Sequence, residues 1–175
     1  IKKKKLMGTG GALLSLKKKK IKAFILTNGD TIFDINLTEL LKSFNKKKLG
    51  CVALAPNNKN TNNYKLNNLG IKNNELCYKK NSKLMNGGIY FFKKEILNKI
   101  PNKPCSLEED ILPNIIKSKM LAAKIFKNFF LDIGTPKYFE ISSNKLKKYF
   151  FRPAVFLDRD GVINHDRGYV YKKND

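Results

Sequence analysis

Ala23-Phe24-Ile25-Leu26-Thr27-Asn28-Gly29-Asp30-Thr31 begins as a compact apolar strand and closes on an Asn-Gly turn with a carboxylate just beyond it. An apolar run of this length, bounded by Gly and Asn, reads as a buried strand. Downstream, Thr38 predicts the N-cap of an amphipathic helix running to about Asn45, with Leu40, Leu41 and Phe44 at helical spacing. Leu49 to Ala55 then reads as a second buried strand. A strand, helix, strand order favours an α/β fold, a parallel sheet with helices packed on it. Upstream, Gly8-Thr9-Gly10-Gly11-Ala12-Leu13-Leu14 reads as a glycine turn feeding a short helix that ends in the run Lys17 to Lys20.

Further out, the chain from about Pro56 to Lys83 is polar and rich in Asn and Lys. Weak strand signals at Tyr64-Lys65-Leu66 and Leu76-Cys77-Tyr78 mark it as a loop and hairpin excursion. Asn86-Gly87-Gly88-Ile89-Tyr90-Phe91-Phe92 is a glycine-led strand, followed by a short helix over Lys93 to Lys99. Ser106-Leu107-Glu108-Glu109 has capping-box spacing, in which Ser and the Glu three residues on satisfy each other's backbone donors, so a helix starts there and bends near Pro113. Ala123 to Leu131 is again strand-like and ends on Asp132-Ile133-Gly134-Thr135-Pro136. There Thr135 as N-cap and Pro136 at the first helical position predict a helix to about Tyr149. Phe151-Arg152-Pro153 breaks the pattern before a new strand, so the expected domains are 1–150 and 151–175.

The 175 residues allow one domain with a real core, or one domain plus a piece of another. No run reaches the roughly 18 to 20 apolar residues a membrane span needs, and no signal-peptide pattern opens the chain, so a cytoplasmic protein without a membrane partner is expected. Cys51, Cys77 and Cys105 are irregularly spaced with no CxxC, which supports neither a disulfide framework nor a zinc site. The 36 Lys+Arg against 14 Asp+Glu give a net charge of +22, a balance that suggests nucleic acid or an anionic surface. Yet Arg152, Arg159 and Arg167 are the only arginines, and the rest is Lys and Asn, as in Asn57-Asn58-Lys59-Asn60. Both residues have A/T-rich codons, so an AT-rich genome produces the same bias on solvated faces without a ligand. Base readout favours Arg, and stacking platforms need exposed aromatics, whereas the Phe and Tyr residues here fall inside apolar patterns; nucleic acid is the disfavoured partner.

Asp30 and Asp132 lie about a hundred residues apart, each just past the end of an apolar strand. Strand C-termini line the ligand crevice of an open α/β sheet, so the two are placed to converge on one Mg²⁺. Singly, Asn-Gly-Asp is a common turn, and Gly8-Thr9-Gly10-Gly11 falls short of a full phosphate loop. Read in order with Asn86-Gly87-Gly88-Ile89-Tyr90, Ser106-Leu107-Glu108-Glu109-Asp110-Ile111-Leu112-Pro113 and Leu131-Asp132-Ile133-Gly134-Thr135-Pro136, these blocks closely resemble the sugar-1-phosphate nucleotidyltransferases over about residues 6–149.

That resemblance implies a Rossmann-like mixed sheet and the joining of a nucleoside triphosphate to a sugar 1-phosphate with release of pyrophosphate, GTP being favoured and ATP next. It implies Asp30 and Asp132 at the metal, Gly10 and Gly11 against the base, Asn86 and Gly87 facing the sugar, and Glu108 bordering the sugar pocket. Where relatives often carry Phe-Glu-Glu-Lys-Pro, this chain reads Cys77-Tyr78-Lys79-Lys80-Asn81, with Lys80 standing in for the phosphate-facing lysine. The family's glycine-rich triphosphate loop is expected to precede Ile1, which with the run Lys2 to Lys5 and the stop at Asp175 reads as an internal part of a longer protein.

Ala154-Val155-Phe156-Leu157 runs directly into Asp158-Arg159-Asp160-Gly161-Val162-Ile163-Asn164, which resembles the first motif of the haloacid dehalogenase-like phosphatases. The continuation through His165-Asp166-Arg167-Gly168-Tyr169-Val170 is similar to the heptose bisphosphate and histidinol phosphate phosphatase branch. This likeness implies that Asp158 attacks phosphorus, that Asp160 protonates the leaving oxygen and then activates water, and that Asp158 and the Asp160 carbonyl hold Mg²⁺. His165 reads as a loop residue or substrate contact rather than a ligand.

Together the two resemblances imply part of a bifunctional enzyme of nucleotide-activated heptose biosynthesis, acting on heptose phosphates. Two alternatives stand beside it: a transferase with an unrelated tail, and a lysine-rich binder of nucleic acid or anionic surfaces. A salt titration separates the last from the enzymes. Sugar-nucleotide binding that survives physiological salt is expected here, whereas steeply salt-dependent DNA affinity without it marks the surface binder. The isolated 175 residues are expected to release no pyrophosphate from nucleoside triphosphate and heptose 1-phosphate.

Overall fold

Gly50–Pro56 (β3) is buried over six of its seven residues, and its side chains alternate between two apolar clusters. Val52 and Leu54 enter one cluster, and Cys51, Ala53 and Ala55 enter the other. A strand covered on both faces needs a continuous apolar run, which is how Cys51-Val52-Ala53-Leu54-Ala55 reads. The computed structural model describes residues 6–57, 68–134 and 136–151, the side chain of Lys137 excepted.

Around β3 the fold is mixed α/β. Helix α1 (Gly8–Ala12) passes into a 3-10 turn, Leu13–Lys18, and then into strand β1 (Ala23–Thr27). Strand β2 (Thr31–Phe33) and helix α2 (Leu37–Lys42) precede β3. The excursion after β3 contains a hairpin of β4 (Leu69–Lys72) and β5 (Glu75–Tyr78). Strand β6 (Leu84–Lys93), a 3-10 turn (Lys94–Lys99), a π-helical turn (Leu107–Ile111) and α3 (Leu112–Lys117) follow. The last described elements are β7 (Leu121–Ile125), β8 (Phe130–Asp132) and α4 (Pro136–Phe150). The chain divides into two units, residues 1–136 and 137–175, so α4 is described by itself: a helix opening on Pro136, with Lys147 and Lys148 complementing the dipole of its last turn.

The main sheet has the order β1-β6-β3-β7-β5-β4, and β2 pairs with β8 in a separate two-stranded ribbon. The sheet is mixed, as the family resemblance implies: β6 inserts antiparallel between β1 and β3, and among the described residues the parallel pairing that strand and helix order favours is made by β3 and β7 alone. Strand β1 is not fully buried as expected. Among the described residues it pairs with β6 alone, at the sheet edge, and Ile25 is 42% exposed.

One face of the sheet packs the 3-10 turns and α3 through Leu13, Ile96, Leu97, Leu112 and Ile116, while the other packs Leu40 of α2 with Phe33 and Phe126. Cys51, Cys77 and Cys105 are free thiols. Among the described residues no helix is long and apolar enough to cross a membrane.

Two local expectations change with the tertiary structure, while the expected hairpin is found. The hairpin turns on Asn73 and Asn74, both at positive φ (52° and 61°), a conformation Asn tolerates in tight two-residue turns; the other weak strand signal, Tyr64-Lys65-Leu66, lies outside the described residues. The single strand expected over Ala123 to Leu131 is two strands, β7 in the main sheet and β8 in the ribbon. At α2 the cap is Asn36 rather than Thr38. Its Oδ1 accepts from the N–H groups of Thr38 (2.9 Å) and Glu39 (3.3 Å), so Thr38 lies inside the helix. Asn36→Ala is expected to cost about 1 kcal/mol and Thr38→Ala less than about 0.5 kcal/mol, read as midpoint shifts in urea unfolding.

Candidate active site

The ribbon carries the two aspartates. Thr31 pairs with Asp132 in the β2/β8 register, and the Ile133 N–H donates to the Asp30 carbonyl at 2.8 Å, so the ends of both strands are held side by side. The Asp132 Oδ1 accepts from the Gly134 N–H at 2.7 Å. A Cβ placed on Gly134 would lie 2.7 Å from Asp30 Oδ2 and 3.1 Å from Asp132 Oδ1, so the two carboxylates meet over this glycine. Burial pushes the Asp132 carboxyl above its usual range; the Gly134 N–H opposes that, and the charge of Asp30 adds to it. Two carboxylates facing one point repel, and a divalent cation relieves the repulsion.

Asp30 also lines a cleft of about 850 Å³, along with Thr9, Asn28, Asn86, Gly88 and Glu108. Its wall is shaped by an irregularity in β6. Val52 of β3 lies opposite Tyr90 and Leu54 opposite Asn86, so Gly87, Gly88 and Ile89 bulge out against the single residue Ala53. Gly88 sits at φ +71°, and its carbonyl accepts from the Asn28 N–H at 2.8 Å. Bulges of this kind re-aim side chains next to functional sites. Here the bulge ties the turn before Asp30 to the strand carrying Asn86.

A chain of polar side chains crosses the cleft floor. The Asn86 amide donates to the Tyr90 hydroxyl at 2.5 Å, and that hydroxyl donates to Glu108 Oε1 at 3.3 Å. Glu108 Oε2 accepts from Thr9 at 2.9 Å and Ser106 at 3.4 Å. Tyr90 is fully buried, and burial first, then the charge of Glu108, pushes its phenol far above the usual tyrosine range. Glu108 enters the site from the π-helical turn. Ser106 caps that turn as expected, accepting from the Glu109 N–H at 3.1 Å, but the acid returning to the Ser106 N–H is Asp110 rather than Glu109. The wider π turn carries the reciprocal position one residue further along.

Gly8-Thr9-Gly10-Gly11 is held by backbone contact with the segment before Glu108. The N–H groups of Gly10 and Gly11 both donate to the Cys105 carbonyl, at 2.9 and 3.3 Å. Gly8 has φ +70°, and a Cβ there would sit 2.4 Å from the same oxygen, so only glycine fits. The turn thereby delivers Thr9, whose hydroxyl bonds Glu108 and accepts from the Leu107 N–H at 2.9 Å.

A family model described as Nucleotidyl transferase matches residues 8–149. The chain belongs to the nucleotidyl transferase family. It is 40% identical over 137 residues to the D-glycero-alpha-D-manno-heptose 1-phosphate guanylyltransferase of Campylobacter jejuni, covering 75% of this chain and 59% of that protein. The structure of HddC from Yersinia pseudotuberculosis superposes with a TM-score of 0.62 at 25% identity, covering 81% of this chain and 64% of that one. HddC has also been solved complexed with GMP-PN. A putative glucose-1-phosphate thymidylyltransferase from Bacillus anthracis shares the fold with a TM-score of 0.67 at 20% identity, covering 86% of this chain and 65% of the other. The chain thus spans about three fifths of the length of the relatives it matches over most of its own length.

Within this nucleotidyl transferase fold the sequence-derived residues separate. Asp30 and Asp132 come together, and Asn86 and Glu108 line the same cleft. Gly10 and Gly11 are buried in the turn, and the cleft lining from this segment is Gly8, Thr9, Ala12 and Leu13. Gly87 faces away from the cleft, against Phe33 of the ribbon, and Gly88 takes the lining position. Lys80 is exposed in the turn after β5 and is not a lining residue. Asp158 and Asp160 lie outside the described residues. Thr9, Asn28 and Tyr90 were not singled out from sequence. Tyr90 shares strand parity with Asn86, a legible signal, but the parts of Thr9 and Asn28 depend on contacts far away in the chain.

A Cβ on Gly87 would stand 2.4 Å from the Phe33 ring and 2.8 Å from the Ala53 carbonyl, whereas one on Gly29 meets nothing within 4 Å. Gly87→Ala is therefore expected to cost about 1–3 kcal/mol and Gly29→Ala less than about 0.5 kcal/mol, read from urea unfolding midpoints.

Proposed function

We propose that this chain is the greater part of a sugar-1-phosphate nucleotidyltransferase that makes a nucleotide-activated heptose, with GTP as the favoured donor and heptose 1-phosphate as acceptor. The observation that carries the reading is the convergence of Asp30 and Asp132 over Gly134 beside the cleft. The donor set suits Mg²⁺, a hard cation commonly held by one or two carboxylates with phosphate oxygens completing its shell. Among the described residues no group of three or more His, Cys, Asp or Glu side chains forms a metal cage, which fits a site that substrate phosphates complete. The choice of heptose and guanine rests on the likeness to the Campylobacter jejuni guanylyltransferase.

In the proposed reaction an oxygen of the sugar phosphate attacks the α-phosphorus in line. A new P–O bond forms, the bond to the β-phosphate oxygen breaks, and pyrophosphate leaves with that electron pair. When bound, Mg²⁺ supplies charge neutralisation on the phosphate oxygens. Asp30 and Asp132 hold that cation at the ribbon end, and Asn86 and Glu108 position the sugar at the cleft floor. Thr9 and Tyr90, each bonded to Glu108, keep its carboxylate in place. No residue need form a covalent intermediate.

The test uses the protein that carries this chain, assayed for pyrophosphate release from GTP, heptose 1-phosphate and Mg²⁺. Asp30→Asn and Asp132→Asn are each expected to lower kcat/KM by more than about a hundredfold while the fold is kept, since each change removes a like-charge repulsion. Turnover left intact by both substitutions would overturn the reading.

We further read residues 151–175 as the start of a haloacid dehalogenase-like phosphatase domain that strips the distal phosphate from heptose 1,7-bisphosphate and so makes the transferase's acceptor. Its support is the motif Asp158-Arg159-Asp160-Gly161-Val162 after an apolar run. Asp158→Asn in the same protein is expected to abolish phosphate release from the bisphosphate while pyrophosphate release persists.

A further inference from the structure

Tyr90 and Asn86 are four residues apart in β6, about 13 Å in a regular strand, yet the Asn86 amide nitrogen reaches the Tyr90 hydroxyl at 2.5 Å because the intervening residues bulge out against β3. The ring is held flat against Phe92, with centroids 5.3 Å apart and planes at 18°, and it is fully buried. Tyr90 is not a lining residue of the cleft, whereas both of its hydrogen-bond partners are. Its hydroxyl therefore works on the cleft through Asn86 and Glu108 and cannot itself meet a ligand.

The hydrogen-bond inventory allows this chain to run in one direction only. A carboxylate has no hydrogen to give and an amide nitrogen accepts none, so the phenol must accept from Asn86 and donate its single hydrogen to Glu108. The Asn86 Oδ1 is occupied by the Gly88 N–H at 3.1 Å, which fixes the amide the same way round. What remains is one N–H on Asn86 and the unused lone pairs on Glu108. A donor and an acceptor thus stand on either side of one buried hydroxyl, and a sugar hydroxyl complements both.

We propose that Tyr90 is a positioning residue that sets the hydrogen-bond polarity of the cleft floor, holding Asn86 as donor and Glu108 as acceptor for the hydroxyl groups of the sugar phosphate. This rests on the cleft being the sugar-phosphate site proposed above. The hydroxyl's two side-chain partners are Asn86 and Glu108, the pair read here as facing the sugar, so its removal is expected to affect the two substrates unequally.

Tyr90→Phe deletes the hydroxyl and keeps the stacked ring. In steady-state kinetics it is expected to raise KM for the sugar 1-phosphate by about tenfold while KM for the triphosphate and kcat stay within about twofold, the scale of one lost hydrogen bond to a charged group. In a Glu108→Ala background the same change is expected to add less than about twofold, because the acceptor that Tyr90 orients is gone. Equal rises in both KM values, or penalties that multiply in the double variant, overturn the proposal. If no sugar 1-phosphate is turned over, the proposed activity fails and the positioning role is read by NMR alone. The ¹⁵N side-chain amide of Asn86 is expected to shift and to exchange its protons faster in Tyr90→Phe, and an unchanged amide overturns the role.

Discussion

The pairing of Thr31 with Asp132 is the contact on which the site depends. It closes a loop of about a hundred residues with a ribbon only three residues long on each strand, so its own hydrogen bonds recover little of the closure entropy. The ribbon is held instead by Phe33, which packs edge-on against Phe126 and Phe130 at 6.2 and 5.1 Å between ring centroids. Phe33 also fills the space left by the missing side chain of Gly87. A packing contact on the face away from the cleft therefore keeps two repelling carboxylates together beside it.

Gly87 and Gly88 have adjacent places and opposite uses. The first admits Phe33 and so anchors the ribbon; the second takes a positive φ and opens the bulge that brings Asn86 back to Tyr90. The anchoring of the aspartate pair and the polar floor of the cleft thus share one distorted strand. The glycine turn at Gly8 acts similarly from the other side: its close approach to Cys105 sets Thr9 on Glu108. Both devices put backbone where a side chain would not fit, and both end by orienting a cleft-lining polar group.

Much of this was readable before any coordinates. The strand ending at Thr27, the apolar run of β3, the capping serine at Ser106 and the pair Asp30 and Asp132 all follow from local pattern and ordered motifs. The misreadings share one cause. Thr38 looks like a cap until Asn36 is seen to occupy its role, and Ala123 to Leu131 looks like one strand until its halves find different partners. Gly10, Gly11 and Gly87 stand apart from these misreadings: they lie in the blocks expected at the ligand, each is closely packed, and neighbouring residues line the cleft. A motif marks which segment approaches a ligand; which residue faces it depends on the bulge or turn that the segment adopts.

The sequence by itself determined the family, the α/β class and the identity of the two carboxylates that close on one another, because these reside in ordered local blocks and in residue chemistry. Only the tertiary structure decided that β6 runs antiparallel between β1 and β3, that Asp30 and Asp132 meet over Gly134, and that Tyr90 joins Asn86 to Glu108. Strand neighbours and side-chain partners far apart in sequence are chosen by burial and hydrogen-bond satisfaction over the whole fold. No local pattern records that choice.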